Sequence, residues 1–68
     1  MDWINVKEQL PEEKINEVTR NYYQYPVKVC IAGTKDIKYY HYGDGHWWHG
    51  PSIMDEYVTH WFDIFKML

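Results

Sequence analysis

The sequence predicts an α+β fold, mainly β: a small antiparallel meander of three to five strands with one short N-terminal helix. Three observations carry that expectation. Runs rich in β-branched and aromatic residues at 27–32, 37–42, 46–49 and 57–62 follow one another at close spacing. Gly43-Asp44-Gly45, between the second and third runs, is a strong hairpin signal. After Pro11, the residues Ile15, Val18 and Tyr22 fall at i, i+3 and i+7, the spacing of one helical face.

Taken in order, Trp3-Ile4-Asn5-Val6 alternates weakly and reads as a short strand. Pro11 forces Leu10 out of the helical region. It also suits the first position of a helix, whose positive end Glu12 and Glu13 favour, so a helix is expected over 12–20. Residues 21–26 read as a tyrosine-rich loop. Pro26 then opens a strand over 27–32, with Val27, Val29 and Ile31 on one side and Lys28, Cys30 and Ala32 on the other. Gly33-Thr34-Lys35-Asp36 makes a turn. The next strand, 37–42, sets Ile37, Tyr39 and His41 opposite Lys38, Tyr40 and Tyr42. A third strand covers 46–49 and ends at Gly50-Pro51-Ser52. A loop over 52–56 leads to the fourth, 57–62. No repeat, low-complexity tract or second domain interrupts the chain, so residues 1–68 are expected to form one domain.

Composition bounds the function. A chain of 68 residues buries only about 60% of the surface its unfolded form exposes. Domains of this size usually need a disulfide, a metal or a partner to stabilise them. Cys30 is the only cysteine, which excludes an internal disulfide and points to a reducing compartment. Within its apolar run it reads as a small buried hydrophobe. Four tryptophans, seven tyrosines and two phenylalanines compensate, since each ring buries roughly 150–250 Å². Net charge is −3 with no basic run, which argues against nucleic acid as a partner. The N-terminus resembles no secretory signal, and no stretch approaches the ~20 apolar residues of a membrane span. The expectation is a soluble, cytoplasmic protein.

The stretch His46-Trp47-Trp48-His49 concentrates the candidate chemistry. Neighbours in a strand point to opposite faces, so Trp47 and Trp48 cannot share one core. His46 points with Trp48, and His49 with Trp47. The favoured expectation is a sheet covered on both faces. The competing one is an exposed strip, one tryptophan with Tyr40 and Tyr42 beside it, that binds a partner. A zinc site needs three or four converging ligands. His41 and His46 face each other across the Gly43-Asp44-Gly45 turn, but His46 and His49 diverge and no second cysteine supports them. Neighbouring carboxylates such as Asp55 and Glu56 form no cleft, Cys30 and His60 share no motif, and no glycine-rich phosphate loop is present. No catalytic, cofactor or metal residue is assigned, and an enzyme is not expected.

Trp3-Ile4-Asn5-Val6-Lys7-Glu8-Gln9-Leu10-Pro11 resembles the opening W-I-x-V-x-x-x-L-P of a small bacterial and phage family, domain of unknown function 551. Val58-Thr59-His60-Trp61-Phe62 is similar to its closing V-T-H-W-hydrophobic motif. Between them 27–31, 37–42 and 43–48 fit the family's strand, aromatic strand and glycine turn. Two departures stand out. Segment 12–25 is longer than the family's loop, and the tail 63–68 is apolar where the family is proline-rich. The resemblance implies a compact β-rich module, often carried in prophage regions, with no reaction and no catalytic residue. Trp3 and Trp61 suggest that the first strand pairs the last and brings both indoles into one core. His60 then lies on the opposite face, hydrogen-bonded to a backbone group. The apolar tail docks on its own chain or on a second copy.

The functional expectation is therefore a non-enzymatic accessory module that binds an unidentified protein, a second copy of itself included. Its candidate binding residues are Trp47, Trp48, Tyr40, Tyr42 and His60, with no cofactor, nucleic acid or membrane. The alternative is a carbohydrate or nucleobase stacked on an exposed Trp/Tyr strip.

Overall fold

The computed structural model describes residues 3–31, 33 and 36–66. Ala32, Thr34 and Lys35 of the expected strand end and turn, and Met67 and Leu68 of the apolar tail, lie outside the described residues. The strands are β1 (Ile4–Asn5), β2 (Ile15–Asn16), β3 (Asn21–Tyr22), β4 (Gln24–Val29), β5 (Lys38–Gly43), β6 (His46–His49), β7 (Ser52–Ile53) and β8 (Val58–Trp61). Six of them form one antiparallel sheet in the order β1-β8-β4-β5-β6-β7, and β2 and β3 make a separate hairpin; this corrects the expected α+β meander of three to five strands, since β8 inserts between β1 and β4 and the described residues hold eight strands and no α-helix. Both edges of the large sheet are two-residue strands, which leaves little unpaired backbone to recruit another chain.

The expected helix over 12–20 is absent, and among the described residues the only helical element is a 3₁₀ turn at Ile64–Lys66. Asparagine chemistry explains the correction. Asn16 Oδ1 accepts the Val18 N–H at 3.0 Å, and Asn21 Oδ1 accepts the Tyr22 N–H at 2.7 Å. Such local bonds compete with the helical ladder and favour turns. Arg20 adopts a left-handed φ of 59°, which a right-handed helix does not allow. The apolar face also has nothing to bury against: Val18 is 93% exposed and Ile15 52%. The supposed loop 21–26 is mostly strand as well.

Proline sits inside β4, a central strand, where a missing N–H normally breaks the ladder. Pro26 tolerates the place because it lies level with the end of β8. Its carbonyl accepts the Phe62 N–H at 3.0 Å, one residue past that strand. The two groups of a residue in an antiparallel pair point the same way, so only one bond at the frayed end is forgone.

The closing motif needs an irregularity. Val58 and Trp61 are both buried, at 4% and 1% exposure, although residues three apart in a regular strand face opposite ways. The register of β8 against β4 runs Trp61–Val27, His60–Lys28, then Val58–Val29, leaving Thr59 as the extra residue of a bulge. Thr59 Oγ1–H donates to the Lys28 carbonyl at 3.2 Å and occupies the gap.

One face of the sheet is the core: Tyr25, Val27, Tyr40, Tyr42, Trp47, Val58 and Trp61, with Ile4, Val6, Tyr23, Val29, Met54 and Ile64 packed against them. Segment 9–12 crosses this face and is fastened there. Trp61 Nε1–H donates to the Gln9 carbonyl at 2.8 Å, and Tyr25 Oη–H to the Glu12 carbonyl at 3.0 Å. The 3₁₀ turn closes the far side, Phe65 meeting the edges of Tyr23 and Tyr25 at 5.0 and 5.9 Å. The described part of the tail thus docks on its own chain.

Candidate interaction face

Over the other face the described residues place Tyr22 at the β5–β6 end, its ring on Gly43 and its carbonyl on His41, and the sheet is not covered from edge to edge on both sides as expected. The residues of this face follow from register. With Ile4, Trp61, Val27, Tyr25, Tyr40, Tyr42 and Trp47 in the core, alternation sends Trp3, His60, Phe62, Gln24, Pro26, Lys28, Tyr39, His41, His46 and Trp48 outward. The pairing lays them out in rows. Trp3, Phe62, Pro26 and Tyr39 run across four strands as an apolar stripe, Trp3 meeting Phe62 edge-on at 5.7 Å. To one side, Gln24, His41, Trp48 and Ile53 make a second row. To the other lie Asn5, His60 and Lys28. The two outer rows are about 13 Å apart along β4, at ~3.3 Å per residue. Tyr39 is 59% exposed and Ile53 49%.

The side chains are held. Lys28 Nζ lies 4.7 Å from the centre of the Trp3 ring. Trp48 meets His46 edge-on at 6.0 Å, and its Nε1–H donates to the Gly43 carbonyl at 2.9 Å. His41 Nδ1–H donates to the Tyr22 carbonyl at 2.6 Å, which leaves Nε2 to accept from Gln24 Nε2–H at 3.3 Å. His46 Nδ1–H donates to Asp55 Oδ2 at 2.6 Å, while Asp55 Oδ1 accepts the Trp47 N–H at 2.7 Å. Thr59 has given its one proton to Lys28, so at 3.0 Å it accepts from His60 Nδ1–H. His60 is thus fixed through a hydroxyl, not the backbone group expected. These three imidazoles share one tautomer, with Nδ1 protonated and turned to the protein. The fourth, His49, stacks on Tyr40 at 5.4 Å on the core side.

Of the five sequence-predicted site residues, the sheet brings Trp48 and His60 to the open face. Trp47, Tyr40 and Tyr42 are 2%, 4% and 5% exposed. They belong to the core, so a strip made of Trp48 with Tyr40 and Tyr42 does not form. Trp3 is likewise separated from Trp61: β1 does pair β8, but in a register that matches Ile4 with Trp61 and sends Trp3 to the opposite side. Sequence reasoning missed Trp3, Phe62, Tyr39, Lys28 and His41 as a group. Their alternation was visible; which half of each strand faces outward was not. Cys30, expected inside, is exposed.

Electrostatics set the two faces apart. On the core side, burial pushes the Tyr25 hydroxyl up to about 12, with Asp63, Glu12 and Tyr23 adding to it. Burial also raises Tyr42, helped by Glu13 and Asp55. The strand residues assigned to the open face include no aspartate or glutamate, although the chain holds ten. Among the described residues no three His, Cys, Asp or Glu side chains converge in a metal-binding arrangement, and no helix is long and apolar enough to cross a membrane.

No curated protein and no solved structure matches the chain. The family model described as "Protein of unknown function (DUF551)" matches residues 2–64, through both end motifs and the hairpin between them, and the chain belongs to that family.

Proposed function

We propose that the chain is a non-enzymatic protein-interaction module and that the open face of the six-stranded sheet is its binding surface. The observation that carries this reading is the asymmetry of the sheet. Segment 9–12 and the 3₁₀ turn pack across its core face, whereas on the other the stripe Trp3, Phe62, Pro26 and Tyr39, with Trp48 and Ile53 beside it, is half-exposed to exposed. Tryptophan and tyrosine rings are enriched in protein hot spots, and contiguous apolar patches on small proteins mark partner sites. Flatness favours a protein over a small molecule, since ligand pockets are concave. The Trp48 N–H is also already engaged by Gly43 and is not free for a sugar hydroxyl or a base edge.

The test is a comparison of variants in the native host. Wild type, Tyr39→Ser, Trp48→Ala and, as a control at the exposed turn of the β2–β3 hairpin, Val18→Ser are used to recover bound proteins, and each recovered protein is retested in purified form. A partner that binds directly, is lost with Tyr39→Ser and Trp48→Ala and is kept with Val18→Ser supports the reading. A partner indifferent to both face variants, or one lost with Val18→Ser alone, overturns it.

A further inference from the structure

The core side of the sheet holds a second feature, separate from the interaction face. Segment 9–12 and the 3₁₀ turn pack over Tyr25 and Trp61. Beside them lies a groove of about 460 Å³. Its walls are Ile31 after β4, Ile37 before β5, Lys38 and Tyr40 on β5, His49 ending β6 and Met54 after β7. We propose that this groove binds a small amphipathic carboxylate, an aliphatic or aryl acid. Lys38 receives its head, and the isoleucines and Met54 enclose its body.

The position of Lys38 carries the proposal. Alternation along β5 sets it with Tyr40 and Tyr42, which are 4% and 5% exposed. Across the pairing with β4 it stands opposite Val27, which is 0% exposed. A lysine is thus placed on the core side of a central strand and is half-buried there. Lysines drawn inward are normally paired. None of the ion pairs among the described residues involves Lys38. No ring lies beneath it as Phe65 lies beneath Lys14 and Trp3 beneath Lys28. The chain has ten carboxylates, yet no described aspartate or glutamate lines the groove. An incoming carboxylate supplies the counter-charge that the walls lack. A basic ligand meets the same ammonium as repulsion.

The walls fix the rest of the ligand. Tyr40 and His49 stack at 5.4 Å and 27°, a flat side against which a chain or ring can lie. Ile37 is 49% exposed, and Ile31 and Met54 are half-buried, so their apolar surface is open to a guest. The volume falls within the roughly 300–1,000 Å³ of small-molecule pockets. One lysine matches a monoanion; a phosphate monoester would bring a second charge that nothing described here meets.

The probe is octanoate, with octanol and octylammonium as its uncharged and cationic counterparts, titrated into the whole chain. The readout is the methyl signals of Ile31, Ile37 and Met54 in a carbon–proton correlation spectrum. Ile4 and Ile64, which do not line the groove, serve as references. Octanoate should shift the three groove methyls saturably and spare the references. It should bind about fivefold tighter than octanol, the scale of one partly exposed ion pair. High salt should shrink that preference, and octylammonium should bind more weakly than octanol. Lys38→Gln should bring octanoate down to the affinity of octanol and leave octanol unchanged, while Lys38→Arg keeps the preference. Equal binding of octanoate and octanol to the wild type overturns the assignment to an acid, as does a preference that survives Lys38→Gln. No saturable shift with any of the three, or shifts confined to Ile53 on the open face, overturns the groove as a site. Register places Lys38 off the open face, so Lys38→Gln should keep any partner of that face, and the two readings fail separately.

Discussion

At the scale of single residues, the four tryptophans are not equivalent, and the difference lies in one hydrogen. Trp61 and Trp47 are almost equally buried, but Trp61 Nε1–H donates to the Gln9 carbonyl, while Trp47 Nε1–H meets no protein acceptor among the described residues. Trp47 is instead enclosed by the edges and faces of Tyr25 and Tyr42, at 6.2 and 4.8 Å. Replacing either with phenylalanine removes similar volume. Only Trp61→Phe also strands a carbonyl and releases segment 9–12, so it should cost about 1–2 kcal/mol more than Trp47→Phe in urea unfolding. Equal costs would mean that the Gln9 bond contributes nothing net. Tyr25 offers a second measurement. Its hydroxyl is raised from 10.0 to about 12 in the folded state, so the native protein holds that proton where the unfolded chain has lost it. The corresponding stability is complete below about pH 10 and declines as pH rises towards 12. Unfolding at pH 9, 10 and 11 should show wild type losing stability more steeply than Tyr25→Phe, which has no such proton. Parallel slopes would place the late titration elsewhere.

At the scale of elements, the β5–β6 hairpin was the most legible feature, because Gly43-Asp44-Gly45 states its own turn chemistry. Asp44 and Gly45 take φ values of 54° and 77°, as a tight two-residue turn requires. The long-range clamp on that turn was not legible. Glu13 Oε1 and Oε2 accept the Asp44 and Gly45 N–H groups at 3.0 and 2.9 Å, so a glutamate expected to favour a helix start serves a hairpin thirty residues on. Glu13→Ala should therefore lower stability by about 1–2 kcal/mol and raise the hydrogen exchange of those two amides above that of the β5–β6 ladder. Unchanged exchange would dismiss the clamp. The misread helix has the same origin. Helical spacing at Ile15, Val18 and Tyr22 is real, but spacing does not say whether a surface exists to receive it, and here Tyr22 is used differently. Its ring lies on Gly43, where an added Cβ would come within 2.1–2.3 Å of it. Gly43→Ala should cost about 1–3 kcal/mol by overpacking, and most of that cost should vanish in a Tyr22→Ala background. Additive costs would show that the hairpin does not rest on this glycine.

At the scale of the whole molecule, the sequence displayed alternation within each strand but not the register between strands, and the register decides which half of each strand is inside. Tyr40 and Tyr42 were read as sharing a face opposite Tyr39 and His41, and they do; that the first pair faces the core depends on Trp47 across β6 and Tyr25 across β4. Trp48 and His60 were legible because each adjoins a tryptophan of the core. The bulge at Thr59 was not, since nothing in Val-Thr-His-Trp shows that two residues three apart will share a side. From this division follows a separation of stability from binding. The core face holds every residue of the buried cluster, whereas Tyr39 and Ile53 on the open face are about half exposed and make no side-chain hydrogen bond among the described residues. Changing both to lysine removes little packing, and surface substitutions away from caps, cavities and networks usually stay within about 0.5 kcal/mol. It places two ammonium groups on the stripe and its neighbouring row. The double variant Tyr39→Lys, Ile53→Lys should therefore unfold within about 1 kcal/mol of wild type and keep its circular dichroism. It should nevertheless lose any partner that depends on the apolar stripe. Marked destabilisation would show that the open face is part of the core, packed in solution against something that the isolated chain does not display. Sedimentation of the wild type would then show whether that cover is a second copy, since a dimer that the two lysines dissociate would lose stability and association together.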